Sequence, residues 1–334
     1  MATLPRALPK SNNHQSTIAA TTGRPALPPL PPTDASHAAI DIAEDGEFTH
    51  PDHDIPPRSY DGIDTLVVVC CHAIFHPDAS SSNFPLKSPL DERNWHLAPF
   101  QKSNPATGKP GEHETFVAHV IAGLTVASLA GNTLLVLSGG APKKPLTSKS
   151  ESRSYLDAAL AHELAEGHKG GGRAQNLFSS GRLLLEEHAS DSFQNLLFSI
   201  LLFRQTTGGY PKHVRIITHA FKTKRFLDLH APAIKWPSNR VQVQGIDPVM
   251  SILELEETVK GEEEYGYAPW VQDSLGTGEK LSLKRQQRGW DESAAKELGE
   301  GLEKSVCELL AGNVSVNLPW STAESSTEQT STLN

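Results

Sequence analysis

Five short apolar runs, separated by stretches of helical length, constrain the fold of this chain more than any other feature. The first, TLVVVCC (65–71), is continuous and β-branched, as expected of a strand covered on both faces. The others are TLLVLSGG (133–140), RLLLEE (182–187), VRIITHA (214–220) and VQVQGIDP (241–248). Strands alternating with helices at this spacing predict an α/β, Rossmann-like, doubly wound fold. Its mainly parallel five-stranded sheet carries helices on both faces.

The composition divides the chain into one folded domain and two tails. Residues 1–58 are rich in Pro, Ser, Thr, Ala and Asp and poor in large apolar groups, so they are predicted to be disordered. A single domain is predicted over 59–312, with a long proline-containing loop at 72–111 and an acidic, irregular segment at 254–290. A second disordered tail is predicted at 313–334.

Charge and composition argue against several function classes. The net charge of −9 disfavours a general nucleic-acid binder, which needs a basic surface to displace counterions. No stretch approaches the ~20 apolar residues of a membrane-spanning helix, so we expect no membrane partner. The oligomeric state stays open.

Cysteine usage and the N-terminal sequence bear on location. Three cysteines without a disulfide framework favour a reducing compartment and therefore a cytoplasmic location. The acid-free first 33 residues leave a mitochondrial presequence open. Their seven prolines disfavour the helix that such a signal needs.

The pair Cys70–Cys71, followed by His72, raises the question of a metal site. Side chains alternate along a strand, so the two thiols are expected to face opposite sides of the sheet and cannot hold one ion. We therefore predict no metal site and place His72 at the end of the first strand as a ligand-binding candidate.

Ligands of doubly wound sheets bind beyond the carboxyl ends of the strands, where the strand order reverses. Ser138, Gly139 and Gly140 follow the second strand, and glycine lets a ligand approach the backbone amides closely. A loop with several lysines then leads to a helix beginning near Glu151. Ser138, Gly139, Gly140 and Glu151 are therefore predicted to bind the ligand. The alternative is a tight turn followed by a capping box of Ser148 and Glu151.

After the third strand, Ser190, Ser192 and Asn195 are predicted to face the same edge. The alternative is that Asp191 and Gln194 in this stretch only cap the next helix.

After the fourth strand, HAFKTKRF contains Lys222 and Arg225, three residues apart and hence on one helical face. Arginine can grip an oxyanion with two hydrogen bonds, and a solvated charge run is the alternative. The candidate acids and bases are Glu187, His219 and Asp247, each at the end of a predicted strand.

Taken in order, these motifs resemble a known family. They are SGG-loop-SE (138–151), E-x-x-S-x-S-x-x-N (187–195) and THAFKTKRF (218–226). They look like the domain of unknown function in bacterial SanA, YdcF and ElyC, in a eukaryotic, fungal-type branch marked by GIDP and LKRQQR. The resemblance implies a Rossmann-like fold over roughly residues 62–290. It makes S-adenosylmethionine, reported to bind one bacterial member, a candidate cofactor.

Two functions are compatible with these residues. The first is a soluble enzyme, a transferase or hydrolase, that acts on a small anionic or nucleotide-like ligand such as S-adenosylmethionine or a phosphorylated compound. The second is a non-catalytic ligand-sensing or protein-interaction module. The missing nucleophile motif and the long tails favour the second, while the polar groups at the strand ends favour the first.

Overall fold

The computed structural model describes residues 59–76 and 87–321. Five parallel strands form one sheet in the order β5-β4-β1-β6-β7, and β2 and β3 form a separate antiparallel ribbon. The strands are β1 (Thr65–Cys70), β2 (Ile74–Phe75), β3 (Trp95–His96), β4 (Thr133–Ser138), β5 (Leu183–Glu186), β6 (His213–Thr218) and β7 (Val241–Gly245). The predicted parallel five-stranded sheet is confirmed, and its strand order reverses between β1 and β6.

Helices cover both faces of the sheet. They are α1 (His113–Leu129), α2 (Glu151–Ala165), α3 (Gly172–Ser179), α4 (Ser192–Thr207), α5 (Ala231–Ala233), α6 (Ile252–Gly261), α7 (Ala268–Gln272), α8 (Glu279–Gln287), α9 (Ala294–Leu298) and α10 (Lys304–Leu310). Two π-helical segments, Arg225–His230 and Glu262–Tyr267, precede α5 and α7. Short 3-10 turns occur at Glu92–Asn94, Pro99–Gln101, Lys169–Gly171, Ala220–Lys222 and Ser238–Arg240. The predicted doubly wound α/β class is therefore confirmed.

The central strand β1 alternates between two core clusters on opposite faces of the sheet. Val67 packs in a cluster with α1, α2 and α3, whereas Leu66 packs in a cluster with α4 and the C-terminal helices. Cys71 belongs to the first cluster and Cys70 to the second. The expectation that the two thiols face opposite sides of the sheet is confirmed.

The caps of two helices set where the residues at the strand ends lie. The side chain of Asp191 accepts a hydrogen bond from the Gln194 amide (2.9 Å) and begins α4, as the capping interpretation predicts. Helix α2 is capped by Ser150, whose hydroxyl accepts a hydrogen bond from the Arg153 amide (2.9 Å). The predicted cap at Ser148 is wrong, because the extended backbone at Ser150 places the helix start two residues later.

The segment 254–290, predicted to be irregular, is largely helical and forms α6, the second π-helical segment, α7 and α8. A capping box starts it: the Ser251 hydroxyl accepts from the Glu254 amide (3.3 Å), and the Glu254 carboxylate accepts from the Ser251 amide (2.9 Å). Glutamate and lysine are good helix formers, so acidic composition does not oppose a helix. The prediction is wrong for that reason.

The predicted loop 72–111 contains the β2–β3 ribbon, which pairs Phe75 with Trp95. At the other end of the domain, the packed chain extends beyond residue 312 to Ser321. Trp320 is 2% exposed, and its indole N–H donates to the Ile234 carbonyl (2.7 Å). A buried aromatic anchor thus holds residues 313–321, which the sequence predicts to be part of the disordered tail. The tail predictions for 1–58 and 322–334 lie outside the described residues.

None of the helices in residues 59–76 and 87–321 is both long and apolar enough to cross a membrane.

Candidate functional site

The residues that follow the parallel strands gather along one edge of the sheet, called the carboxyl edge below. β1 is followed by Cys71 and His72, β4 by Gly139, β5 by Glu187 and β6 by His219. β1 lies between β4 and β6, and the connections leaving β1 and β6 run to opposite sides of the sheet. A crevice is expected at this point in doubly wound folds.

His72 and Lys222 meet at the carboxyl edge although they lie far apart in the chain. Nδ1 of His72 lies 3.4 Å from Lys222 Nζ, and its Nε2 lies 3.2 Å from Thr218 Oγ1. Because an ammonium group can only donate, Nδ1 accepts and Nε2–H donates to the threonine. Burial, and then the charge of Lys222, lowers the pKa of His72 well below its usual value. The imidazole is therefore neutral at physiological pH.

His219 lies at the centre of an aromatic stack. Its ring centroid is 4.6 Å from that of His72 and 4.8 Å from that of Phe221, while His119 meets it edge-on at 5.0 Å. Both ring nitrogens are buried without a hydrogen-bond partner among the described residues, and Glu112 Oε2 lies 4.0 Å from Nε2. Burial lowers the pKa of His219 well below its usual value. Such unpartnered buried atoms are uncommon, which singles out His219 as a candidate acid–base group.

Lys222 and Arg225 differ in their partners. Burial, and then the neighbouring charge of Arg225, lowers the pKa of Lys222 to about 8. Arg225 Nε lies 3.2 Å from Glu262 Oε1 without pointing its N–H at that oxygen, and Nη1 donates to the Gly266 carbonyl (3.3 Å). Arg225 and Glu262 each open one of the two π-helical segments, a helix form frequent at functional sites. The guanidinium predicted to grip a ligand is thus already paired inside the protein.

Lys284 and Arg285 of α8, with Arg288 directly after it, reach the carboxyl edge and were not predicted from the sequence. Arg285 Nε donates to Asp191 Oδ2 (2.7 Å), and Arg288 Nη1 donates to the Ser190 carbonyl (3.0 Å). Burial, and then the charge of Arg288, lowers the pKa of Lys284 to about 8. The run LKRQQR was the available signal, but it stood inside a segment predicted to be irregular.

Glu186 forms the buried polar centre beneath the edge. Its Oε2 accepts a hydrogen bond from the Ser138 hydroxyl (2.5 Å), and Oε1 accepts from the amides of His188 (2.6 Å) and Ala189 (2.9 Å). The same hydroxyl lies 3.1 Å from Asn195 Oδ1. Burial raises the pKa of Glu186 to about 7. Ser138 and Asn195, predicted to bind a ligand, therefore contact Glu186 or its hydrogen-bond partner.

Glu187 contacts the first turn of α2, and not His72 or His219. Its Oε1 accepts from the Ser150 hydroxyl (2.6 Å), and its Oε2 accepts from Arg153 Nη2 (2.9 Å). Together with Arg153 it lines a surface cavity of about 330 Å³ along the edge strand β5. Burial raises the pKa of Glu187, but the hydrogen bonds from Arg153 and Ser150 together lower it by more than burial raises it. The net shift is therefore downward. Glu187 is occupied in fixing the start of α2.

The glycines after β4 allow close packing, and their amides are occupied. Gly139 donates to the Glu186 carbonyl (3.0 Å) and Gly140 donates to the Ala189 carbonyl (2.7 Å). A side chain at Gly140 would meet that same carbonyl at 3.0 Å, and one at Gly139 would meet Glu151 Oε2 at 2.9 Å. The tight-turn alternative accounts for both glycines. The expected pair of free amides is not present, because the backbone of the β5–α4 loop already accepts their hydrogen bonds.

Glu151 lies at the carboxyl edge beside Gly139. Burial raises the pKa of Glu151 to about 7, while the positive charges of Arg288, Lys222 and Lys143 act in the opposite direction. The carboxyl group therefore shares the neighbourhood of the basic residues from β6 and α8.

Three further candidates have partners within the protein. The Ser190 hydroxyl donates to Gln194 Oε1 (2.6 Å), and the Ser192 hydroxyl lies 2.8 Å from His230 Nε2. The Asp247 carboxylate accepts from the amide of Phe221 (3.3 Å) and so holds the turn that precedes Lys222. These contacts cap α4, pack His230 and fix the turn after β6.

Some of the predicted site residues thus lie close together at the carboxyl edge, whereas others form hydrogen bonds that stabilise the local structure. The residues that come together at the carboxyl edge are His72, Glu151, Asn195, His219, Lys222 and Arg225, joined by Glu112, Lys284 and Arg288. Its chemistry is that of neutral imidazoles beside amines of lowered pKa, which suits anion binding and proton transfer. In the part of the chain described, no three His, Cys, Asp or Glu residues are placed to hold a metal ion.

Comparison with known proteins adds one relative. No family model matches the chain. The chain is similar to the uncharacterized protein YOR238W of Saccharomyces cerevisiae, at 27% identity over 307 residues, covering 77% of this chain and 97% of the yeast protein. No solved structure matches the present chain. The chain therefore has a nearly full-length yeast relative of uncharacterised function, and the resemblance to SanA, YdcF and ElyC stays a prediction.

Proposed function

We propose that the chain binds a small anionic ligand, phosphorylated or nucleotide-like, at the carboxyl edge between β1 and β6. The observation that carries this proposal is the pair Lys222 and Lys284, partly buried amines that form no ion pair with a carboxylate in residues 59–76 and 87–321. Arg225 and Arg285, in contrast, are paired with Glu262 and Asp191. A bound anion would stabilise the charged form of the lysines, which burial disfavours.

The charges at the carboxyl edge favour phosphate over a single carboxylate. Phosphate carries up to two negative charges, and Lys222, Lys284 and Arg288 act on one another across the edge directly or through Arg225. S-adenosylmethionine remains a candidate through its carboxylate, supported by the resemblance to SanA, YdcF and ElyC. Membership of that family and a cytoplasmic location are part of this proposal.

A thermal-shift series tests the proposal. Inorganic phosphate, pyrophosphate, adenosine diphosphate and S-adenosylmethionine are added to the wild type and to Lys222→Ala, Arg225→Ala and Lys224→Ala. Lys224 is the matched control, since it is exposed and two residues from Lys222. We expect a phosphorylated ligand to raise the Tm of the wild type and of Lys224→Ala by several degrees, and of Lys222→Ala by much less. Equal stabilisation of all variants would remove Lys222 from the site.

Turnover decides whether this binding serves catalysis. The neutral His219 beside Glu112 supports a transferase or hydrolase, because an unpartnered imidazole can take up or deliver a proton. The alternative, a non-catalytic sensing module, would bind the ligand at the same carboxyl edge without turnover. Product formation is therefore measured for each ligand that shifts the Tm, with His219→Gln as the comparison.

A further inference from the structure

Lys222 is held in one place by the elements around it. It ends the turn Ala220–Lys222, whose Phe221 amide is bound by Asp247. Gly245 lets β7 approach this turn, because a side chain there would collide with Ala220. The Lys222 ammonium lies 5.8 Å from the centre of the Phe221 ring. Both sides of the turn that carries the amine are therefore fixed.

A neutral proton acceptor lies next to this amine. Nδ1 of His72 is 3.4 Å from Lys222 Nζ, and the bond to Thr218 keeps the ring proton on Nε2. The Tyr155 hydroxyl accepts a hydrogen bond from the His72 amide (3.1 Å), and His219 stacks on the ring, so the imidazole cannot swing away freely. Nδ1 thus presents its lone pair to the amine.

The surroundings of Lys222 favour the neutral amine. Partial burial and the nearby Arg225 both oppose the ammonium form, and no described carboxylate forms an ion pair with it. Its pKa is lowered to about 8. At pH 7.5 roughly a quarter of such an amine is neutral, against about one in a thousand for an ordinary lysine. Nucleophilic lysines are activated in this way, by desolvation beside another cation.

We propose that Lys222 is a Schiff-base nucleophile for a small aldehyde or ketone that carries a phosphate group. This inference rests on the proposed function, since the anion held by Lys284 and Arg288 would place the carbonyl carbon near Nζ.

The reaction balances without any further reactant. His72 Nδ1 takes one proton from the Lys222 ammonium, and the amine lone pair forms a bond to the carbonyl carbon. The carbonyl π electrons move to oxygen, which gains the second amine proton and then the proton held by His72. The C–O bond breaks, water leaves, and a protonated imine remains on Lys222. One ammonium and one carbonyl have become one iminium and one water.

Reductive trapping tests the inference on the full chain. Glyceraldehyde 3-phosphate is added at pH 7.5 with cyanoborohydride, which delivers hydride to the iminium carbon and fixes the adduct as a secondary amine. Peptide mass spectrometry then measures the modified fraction at each lysine. We expect Lys222 to be modified at least tenfold faster than Lys224, the exposed lysine of the same segment.

Two variants and one ligand serve as controls. Lys222→Arg keeps the charge and should lose the dominant adduct. His72→Gln keeps Lys222 and should slow its modification at least tenfold at pH 7, with less slowing at pH 9, where more of the amine is already neutral. Glycerol 3-phosphate carries the same phosphate without a carbonyl, and it should protect Lys222 from modification. Circular dichroism verifies that each variant is folded.

The outcomes separate this inference from the proposed function. A Lys222 adduct with protection by glycerol 3-phosphate supports both. Stabilisation by glycerol 3-phosphate with no preference for Lys222 overturns the nucleophile and leaves the anion site standing. Preferential modification of Lys222 without protection supports the nucleophile and overturns the anion site. If Lys222 is not preferentially modified and glycerol 3-phosphate has no effect, both the nucleophile and the anion site are overturned.

Discussion

Two charged clusters of this molecule differ in how completely their groups are satisfied. The first lies at the glycine-rich run between α2 and α3, where the buried Glu163 carboxylate accepts four hydrogen bonds, three from Arg173 and one from His168. The second is the carboxyl edge, where Lys222 has no ion pair among the described residues and both ring nitrogens of His219 lack partners. Saturated charges indicate a structural role, whereas unsaturated ones indicate a binding role.

The glycines of the first cluster illustrate this difference. Gly170, Gly171 and Gly172 all have positive φ angles (71°, 85° and 55°), and a side chain at Gly172 would run into Glu163 Oε2. Burial raises the pKa of Glu163, but the bonds from Arg173 together lower it by more than burial raises it. The net shift is therefore downward. A helix, α2, and not a strand precedes this glycine-rich run, so it lacks the context of a phosphate-binding loop. Its glycines allow the chain to wrap around an internal carboxylate.

The largest expected effect breaks the first cluster. Glu163→Ala should lower the free energy of unfolding by about 3 kcal/mol, since it leaves the guanidinium of Arg173 without its carboxylate in a partly buried position. Urea denaturation measures the loss. Phosphate binding by the remaining folded protein should be unchanged, and a parallel loss of binding would contradict the division into a structural and a binding cluster.

Removing the amine of the second cluster should weaken ligand binding without lowering the free energy of unfolding. Lys222→Met should weaken pyrophosphate binding about ten- to thirtyfold, or roughly 1.4–2 kcal/mol, as expected for a partly buried charge-assisted contact. The free energy of unfolding should stay the same or rise, because burial disfavours the ammonium in the folded state. Isothermal titration and urea denaturation measure the two quantities. A destabilised protein with full affinity would assign Lys222 a structural role.

The pH dependence of binding sharpens the same comparison. The pKa values of Lys222 and Lys284 are lowered to about 8, and a bound anion needs their charged forms. Affinity for pyrophosphate should therefore fall as pH rises through about 8, by up to tenfold per pH unit for each lysine. His72, Arg225, Glu262, Glu112 and Cys70 face Lys222. Between pH 7 and 9 the lowered pKa of His72 keeps its imidazole neutral, and the raised pKa of Cys70, about 12, keeps its thiol protonated. Flat affinity over this range would exclude the lysines as ligand-binding groups.

The smallest expected effect concerns the buried Glu186. Burial raises its pKa in the folded protein to about 7, above the ordinary value of 4.5. The folded protein therefore loses stability as pH rises from about 4.5 to 7, because the carboxyl group ionises more readily in the unfolded chain. Glu186→Gln cannot ionise. Its amide oxygen can accept from the two backbone amides, and its NH2 group can donate to Ser138 Oγ, whose own hydroxyl then donates to Asn195 Oδ1. We expect it to be about 1 kcal/mol more stable than wild type at pH 8 and equal to it at pH 4, by urea denaturation. A variant that is less stable at pH 8 would show that the carboxylate itself is needed there.

Local patterns were sufficient for the sheet and for the order of its helices. Apolar runs such as TLVVVCC identified all five parallel strands, and alternation placed Cys70 and Cys71 on opposite faces. The same patterns misjudged 254–290, where the acidic composition hid α6 and the whole segment, including the basic α8, was predicted to be irregular. They also ended the domain before Trp320, since a single aromatic anchor leaves no periodic signal.

The sequence by itself determined that polar residues follow each strand and must meet at one edge, because parallel strands align their carboxyl ends. Only the tertiary structure decided which of them are engaged: Glu187 by α2, Arg225 by Glu262, and Gly139 and Gly140 by neighbouring backbone. It also brought Lys284 and Arg288, from α8 and the residue that follows it, into the surroundings of Arg225, which lies beside Lys222. The physical reason is that hydrophobic periodicity is a local property of the chain. The pairing of charges depends on how elements that are distant in the sequence pack together, as for Asp191 and Arg285, which lie 94 residues apart.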